Sequence, residues 1–444
     1  MEESGLKFSD GDAAEDDFMD AMLMMWVSWG DEDEKSDKPR RQANEHRNRQ
    51  HALNTIQKWS DAQFVMHFRL TREDFCEVRD ALKEVVRPRK RAYAELSSGS
   101  QVSLETKLFV TLRILAGAKY QDLVWYGVPE RHVWTYTFEI VHALNATPYL
   151  DNIKLPRTLD DIKAKQEEWA ALSYAKFNDL RLPGTLGAGD GFLVAIKKPK
   201  EDDARNMQLG TQDFWYRKGF YGLLCRGICD AYGTVMYWAM KWPGSTNDIA
   251  AYKQLPLESV YFKEGGPAHE AGAHFVLDEA YSSIGGDHHL CPYSKAQLEA
   301  GKKVSMDRYN AMLTFNNCLS SQRMTIERCF GIILARWGIL WQPMAHSVKD
   351  CTAIVTCVVR LHNLCMARWR KKRGLKAPLP RLPRTPTQEG EKAPDVVGEA
   401  EVKELLQKLL NCNPVNVKAR RSAKRSTMTQ SLQDNGLFFD RSLV

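Results

Sequence analysis

The chain has 444 residues, of which 43% are hydrophobic, so it can form at least one sizeable core and is long enough for two or three domains. Lysine and arginine outnumber aspartate and glutamate by 62 to 56, and the net charge of +6 is too small to identify a partner by itself. The ten cysteines show no CxxC pair and no regular spacing, which is typical of reduced thiols.

Residues 1–55 are charged and lack sustained periodicity, which predicts a disordered acidic leader. Residues 18–29 within it predict one short amphipathic helix that is able to dock a partner. Because this run follows acidic residues and is too short to span a bilayer, we expect neither a signal peptide nor a membrane partner. The basic runs at residues 368–373 and 418–425 resemble nuclear import signals, so we expect a nuclear protein, although a solvated surface explains each run as well.

Residues 56–150 predict a helical region that resembles a helix-turn-helix DNA-binding domain. A short helix from Tyr120, a turn at residues 127–130 and a longer helix at residues 131–144 follow one another in the order of that motif. The residues at the position that would read a major groove are Arg131, His132 and Thr135. A small helical bundle that only packs against the next domain explains the same pattern, so both interpretations stay open.

After Gly184 the hydrophobic period shortens toward two, which indicates the start of a sheet. Strands are predicted at residues 186–196, 221–230, 234–241 and 274–278, and helices at residues 246–255, 306–334 and 348–369. This order matches the ribonuclease-H-like arrangement, so we predict an α/β fold with a ribonuclease-H-like mixed sheet and flanking helices over residues 180–370. The proline and charge content of residues 374–444 predicts a mostly disordered tail.

Three acidic residues lie where this arrangement brings distant segments together. Asp190 interrupts the first strand between two glycines, which would let a metal ion and a phosphate approach closely. Asp278 ends the fourth strand, and Glu327 lies in the helix that follows. An apolar strand tolerates a carboxylate poorly unless a cation lies beside it, so these residues predict a catalytic, metal-binding triad. Carboxylates suit Mg²⁺ or Mn²⁺, and two such ions can activate the attacking oxygen and neutralise the leaving oxygen of a phosphodiester.

Asp248 starts the helix between the third and fourth strands, and its role has two explanations. It is a fourth metal ligand in the same cluster, or a first-turn acid that the helix dipole favours.

Four short motifs follow one another as they do in PIF/Harbinger transposases, and the chain resembles that family. They are Gly189-Asp-Gly191, Pro243-Gly-Ser-Thr-Asn-Asp248, Leu277-Asp-Glu-Ala-Tyr281 and Ile326-Glu-Arg-Cys-Phe-Gly331. Further similar segments are residues 214–220 and 361–364, and the resemblance covers about residues 64–366. It departs from the family at Glu279, which stands where a small residue is usual and either adds a ligand or crowds the site.

The resemblance implies a DDE endonuclease on a ribonuclease-H-like fold, with Asp190, Asp248, Asp278 and Glu327 as candidate metal ligands. It implies cleavage of double-stranded DNA at transposon ends and attack of the freed 3′ hydroxyl on target DNA, using Mg²⁺ or Mn²⁺. A homo-oligomer and an accessory DNA-binding protein are further expectations. A domesticated, catalytically silent DNA- or chromatin-binding relative is the alternative, and a host nuclease without a transposon is a third reading.

Four basic residues are expected to serve that reaction. Arg217 and Lys218, just before the second strand, are expected to hold DNA phosphates. Arg323 and Arg328 flank Glu327 and either hold phosphates as well or only screen the acids.

Overall fold

The computed structural model describes residues 49–86, 102–171, 182, 184–284 and 288–373. The predicted helix at residues 18–29, the rest of the leader before residue 49, the basic run at residues 418–425 and the predicted tail lie outside the described residues. The described residues form a helical region followed by a mixed sheet with flanking helices, which confirms the predicted α/β class.

Helices alone make up the described chain ahead of the sheet. They are α1 (Arg49–Lys58), α2 (Asp61–Phe68), α3 (Arg72–Lys83), α4 (Leu104–Leu115), α5 (Glu130–Ala146) and α6 (Leu159–Ala171), with a 3-10 helix at Tyr120–Tyr126. Ser60, Thr71 and Ser103 cap α2, α3 and α4, and each side chain accepts a hydrogen bond from a backbone N–H three residues later. α1 begins inside the segment predicted to be disordered, and it buries Ala52 and Ile56.

The sheet combines antiparallel and parallel pairing. Its strands are β1 (Thr185–Ala195), β2 (Trp215–Tyr216), β3 (Phe220–Cys229), β4 (Val235–Pro243), β5 (His274–Val276) and β6 (His289–Leu290). The order is β2-β3-β1-β5-β6, and β4 pairs with β3. β3 runs antiparallel to β1 and β4, whereas β5 runs parallel to β1 and β6. The predicted strands correspond to β1, β3, β4 and β5, whereas the two-residue strands β2 and β6 were not predicted.

Helices after β1 cover the sheet and complete the core. They are α7 (Glu201–Asn206), α8 (Asp248–Lys253), α9 (Pro267–Glu270), α10 (Lys295–Val304), α11 (Met306–Arg336) and α12 (Val348–Arg373). α11 packs on β1 and β3, where a Cβ on Gly227 would lie 3.0 Å from the Phe330 ring. α12 is long and apolar enough to cross a membrane, but most of its apolar stretch is buried against neighbours such as α5 and β4, so it is a core helix.

The turn between β3 and β4 is tied to α12. The amide of Asn363 accepts a hydrogen bond from the Val235 N–H and donates one to the Val235 carbonyl, both at 2.8 Å. Nε2 of His362 lies 2.9 Å from the Gly233 carbonyl oxygen. His362 and Asn363 are buried, so their place in the family-like segment 361–364 is explained by packing.

The helical region packs directly on the part of the chain that carries the sheet. α5 contacts both α4 and α12 and buries Val133, Ile140 and Val141. Arg131 and Thr135 are exposed on the same helix. One side of the predicted recognition helix is therefore occupied by packing, and the helix-turn-helix interpretation stays a prediction.

Replacing Gly338 with alanine is expected to destabilise the protein at this junction. A Cβ on Gly338 would lie 2.7 Å from the carbonyl oxygen of Ala116 and 3.1 Å from the Cα of Gly117, and both are backbone atoms. Overpacking of this kind costs about 1–3 kcal/mol, which a lower thermal unfolding midpoint would report. Gly210→Ala is the control, because its Cβ would meet only a side-chain oxygen at 3.7 Å. Equal midpoints for the two variants would contradict the close backbone contact.

Candidate active site

Asp190 and Asp278 lie at the same level of neighbouring strands. β1 and β5 are parallel and Ala188 pairs with Val276, so each aspartate lies two residues beyond this pair. Neighbouring strands are about 4.8 Å apart, which brings the two aspartates close together. Each carboxylate is held by the next backbone N–H, since Gly191 donates to Asp190 and Glu279 donates to Asp278, both at 2.7 Å.

Glu327 reaches the same place from α11. The helix buries Ile326 and Phe330 and leaves Glu327 partly exposed beside Arg323, one turn earlier. The Arg323 guanidinium forms an ion pair with Glu327, and its Nη1 lies 3.6 Å from Oδ2 of Asp190. Arg323 therefore connects an acid of the sheet to an acid of the helix.

Burial and mutual repulsion make this cluster electrostatically unfavourable without a cation. Burial raises the pKa of Asp190 to about 7, and Asp278 and Glu327 add to the rise while Arg323 opposes it. Burial also raises the pKa of Glu327, with a further contribution from Asp278, whereas Arg323 and Arg328 oppose the shift. The carboxylates thus lie close enough to affect one another, and positive charge at this point stabilises their ionised forms.

The glycines beside Asp190 face the other side of β1. A Cβ on Gly189 would lie 2.8 Å from the Leu277 side chain. A Cβ on Gly191 would lie 2.5 Å from Nη1 of Arg226 and 3.0 Å from Oδ1 of Asp248. Space for packing therefore explains both glycines, and the expectation that they admit a metal ion and a phosphate stays a prediction.

Asp248 lies on this opposite face as well, because successive side chains of a strand point to opposite sides of the sheet. Its carboxylate accepts a hydrogen bond from Arg226, which is 2% exposed and also donates to the Tyr281 hydroxyl. The structure thus pairs Asp248 with an arginine and does not bring it to the face that carries Asp190. The interpretation of Asp248 as a fourth ligand has no geometric support here, and a role in holding Arg226 replaces it.

Arg226 is the site residue that sequence reasoning missed. It interrupts the apolar strand β3, whose residues are otherwise aromatic, aliphatic, cysteine or glycine. An arginine in such a strand signals a buried partner in the same way that Asp190 does, because a buried charge must be paired. That signal was available in the sequence.

The predicted DNA-binding residues are dispersed over the described chain. Arg217 and Lys218 lie in the turn between β2 and β3, with the Arg217 guanidinium 5.9 Å from the centre of the Tyr216 ring. Arg328 is near Glu327, and Arg323 is engaged with two acids, so the structure favours screening as its role. The remaining three residues, Arg131, His132 and Thr135, are on α5 in the helical region.

Carboxylate oxygens at this site are of the chemical type that Mg²⁺ and Mn²⁺ prefer. Among the described residues, no three His, Cys, Asp or Glu side chains lie together in an arrangement that could hold a metal ion. Between Asp190 and Glu327 the balancing charge is the Arg323 guanidinium. The donor set therefore fits a hard divalent cation that would supply the positive charge Arg323 now provides.

Comparison with known proteins agrees with this arrangement. The DDE superfamily endonuclease family matches residues 189–363, a range that includes all three acids. The chain is 27% identical over 272 residues to human “Putative nuclease HARBI1”, covering 60% of this chain and 68% of that protein. It is 23% identical to the bovine protein over the same length, and 35% identical to the mouse protein over 188 residues, or 42% of this chain and 47% of that one. No solved structure matches the chain significantly. The motifs, the match over residues 189–363 and these relatives together support the predicted Harbinger-type DDE endonuclease family.

Proposed function

We propose that this protein is a divalent-metal-dependent endonuclease that cleaves double-stranded DNA. The single observation that carries the proposal is that Asp190 in β1, Asp278 just after β5 and Glu327 on α11 lie close enough for their charges to affect one another. The match of residues 189–363 to the DDE superfamily endonuclease family supports a nuclease, and the chemistry of the three acids supports the metal. A catalytically silent relative is less well supported because all three acids are present.

In this proposal Asp190, Asp278 and Glu327 hold Mg²⁺ or Mn²⁺, with two ions in the working site. Bound there, the ions supply activation of a water molecule and neutralisation of the leaving oxygen. The backbone N–H groups of Gly191 and Glu279 hold the two aspartates in fixed orientations, which limits the reorganisation that binding requires. Arg323 balances the acids in the absence of a cation.

The wider functions are proposals of the same kind. Arg217 and Lys218 bind DNA phosphates, and Arg131, His132 and Thr135 contact DNA from α5. The freed 3′ hydroxyl is joined to target DNA at the same site, in a homo-oligomer that works in the nucleus with an accessory DNA-binding protein. Family resemblance supports these proposals, and the basic exposed positions of Arg131 and Arg217 are compatible with them.

Metal titration with supercoiled plasmid DNA tests the proposed function. We expect the purified chain to nick the plasmid when Mg²⁺ or Mn²⁺ is added and to stop when a chelator is added in excess. We also expect Mg²⁺ to raise the thermal unfolding midpoint, because a ligand that binds only the folded state stabilises it. Binding of DNA with neither nicking nor stabilisation by either metal would identify the silent relative and contradict the proposal.

A further inference from the structure

The hairpin formed by β2, β3 and the turn between them combines aromatic and basic side chains. Its paired residues are Trp215 with Tyr221 and Tyr216 with Phe220. Arg217 and Lys218 form the turn, and Gly219 closes it with a φ of +92°, a left-handed conformation that glycine adopts readily. This mixture is typical of surfaces that bind single-stranded nucleic acid, where cations follow the backbone and aromatic rings stack on bases.

Trp215 is exposed, although Phe214 before it is buried and Tyr221 opposite it contacts its ring. Phe214, the preceding residue, is fully buried, whereas Trp215 is 44% exposed. The Tyr221 ring meets the indole edge to face, with ring centres 4.8 Å apart and an interplanar angle of 74°. The tyrosine thus fixes the orientation of the indole, and a large apolar surface remains open to solvent.

The register of the sheet puts this indole on the same face as the catalytic acids. Asp190 pairs with Gly227, and the β1–β3 register is continuous from this pair to Ala195 and Gly222. Side-chain positions alternate between the two faces along β3, so positions 227 and 221 lie on the same face as Asp190. Trp215 lies on this face as well, because it pairs with Tyr221. The same face is covered at Gly227 by Phe330, three residues from Glu327 on α11.

The distance from the acids to the hairpin corresponds to a short stretch of DNA. The Ile196 N–H donates to the Tyr221 carbonyl, which sets the hairpin level with Ile196. Six residues of strand from Asp190 to Ile196 span about 20 Å at a rise of roughly 3.3 Å per residue. One DNA strand advances about 3.4 Å per nucleotide, so the same span is about six nucleotides.

We propose that Trp215, oriented by Tyr221, stacks on an unpaired base of the DNA strand that leaves the active site, about six nucleotides from the scissile phosphate. Arg217 and Lys218 bind the phosphates on either side of that base. The inference rests on the proposed nuclease function for its DNA substrate, but it assigns a separate site and a separate ligand. The site takes a flipped or single-stranded nucleotide, and the stacking is tolerant of sequence because every base presents an aromatic face.

Fluorescence anisotropy with two labelled oligonucleotides tests the inference. One is a blunt duplex, and the other is the same duplex with a ten-nucleotide single-stranded 3′ tail; both are measured with the full chain in a chelator, so that cleavage plays no part. Trp215→Ala is expected to weaken binding of the tailed DNA by about tenfold or more, the loss expected from removing one stacked base. Trp215→Phe should retain most of the affinity, and neither variant should change binding of the blunt duplex.

The dependence of affinity on salt separates stacking from charge. Trp215→Ala should keep the slope of affinity against salt concentration, whereas the double variant Arg217→Ala, Lys218→Ala should lower it by about two. Trp341→Ala is the matched control, since that tryptophan is 40% exposed and lies outside the hairpin. Circular dichroism confirms that each variant is folded.

Two different results distinguish the inference from the proposed function. The stacking site is contradicted if Trp215→Ala binds the tailed DNA as tightly as the unaltered chain does. It is also contradicted if Trp341→Ala loses as much affinity for the tailed DNA as Trp215→Ala. Both conclusions hold whether or not the protein nicks DNA. If the protein never nicks DNA, but Trp215→Ala alone weakens binding of the tailed DNA, the proposed nuclease function is contradicted and the stacking site is supported.

Discussion

Asp190→Asn should abolish metal-dependent nicking of DNA while the protein stays folded and keeps its affinity for DNA. The amide has the shape of the carboxylate but lacks the negative charge that holds a divalent cation. Loss of a residue that only supports a metal ligand costs about 10- to 100-fold, so loss of the ligand itself should exceed a hundredfold. Because burial raises the pKa of Asp190 to about 7, the neutral side chain is also expected to preserve or increase the stability of the metal-free protein. Initial nicking rates and thermal unfolding in a chelator measure the two effects.

Three further variants control this experiment. Glu327→Gln should show the same loss of nicking, since Glu327 shares the site. Asp202→Asn should be unaffected, because that side chain is 90% exposed. Asp248→Asn should leave the Mg²⁺ concentration for half-maximal nicking unchanged, because Asp248 pairs with Arg226 on the opposite face of β1. Nicking by Asp190→Asn at the normal rate would remove Asp190 from the proposed mechanism.

The largest loss of stability is expected from Asp230→Ala. Asp230 follows β3, its side chain is 1% exposed, and its carboxylate accepts hydrogen bonds from the backbone N–H groups of Tyr232 and Thr234 at 3.0 and 2.8 Å. It also pairs with Lys165 of α6 at 2.8 Å and with Arg370 of α12 at 3.4 Å. One carboxylate therefore connects the β3–β4 turn to two helices that are distant in sequence.

Removing that carboxylate leaves two partly buried cations and two backbone donors with fewer partners. Burial by itself lowers the pKa of Lys165, but Asp230 and Glu168 outweigh it and raise the pKa, so the ammonium group depends on these acids. Breaking a buried ion pair from one side costs about 3–5 kcal/mol, and we expect a loss near the lower limit because Glu168 remains. Urea unfolding monitored by tryptophan fluorescence measures it.

Asp151→Ala is the matched control for Asp230→Ala. Asp151 also pairs with a lysine and an arginine, Lys154 and Arg360, but its side chain is 49% exposed. Surface ion pairs are worth about 0–1 kcal/mol, so this variant should change the unfolding free energy by less than that. A loss in Asp230→Ala no greater than in Asp151→Ala would show that the buried network contributes little.

Arginines of the basic run at residues 368–373 form ion pairs with acids of other helices and of the β3–β4 turn. Arg370 contacts Asp230 and Glu168, and Arg368 forms ion pairs with Asp74 and Glu77 of α3. These arginines therefore join α12 to the helical region and to α6. The sequence showed a cluster of positive charge and predicted a nuclear import signal, which stays a prediction. The four acids in these pairs lie 140 to 294 residues earlier in the chain.

Local pattern predicted the α/β class of the fold and the three acids that the structure brings together. Alternation of apolar residues indicates β1, β3 and β4. A carboxylate in such a strand, as at Asp190, indicates a buried cation or ion pair even when the partner is not known. The order of the motifs along the chain indicates the family as well. These features are local because the strand period and the cost of a buried charge act within a few residues.

Tertiary structure alone decided which side chains share a face. The register of β1 against β3 puts Asp190 toward α11 and Gly191 toward Arg226, so Asp248 is separated from the acids that precede and follow it in sequence. The same register puts Trp215 on the face that carries Asp190. A shift of one residue in strand pairing would reverse every one of these assignments, and that pairing is set by packing between distant segments, which no local pattern encodes.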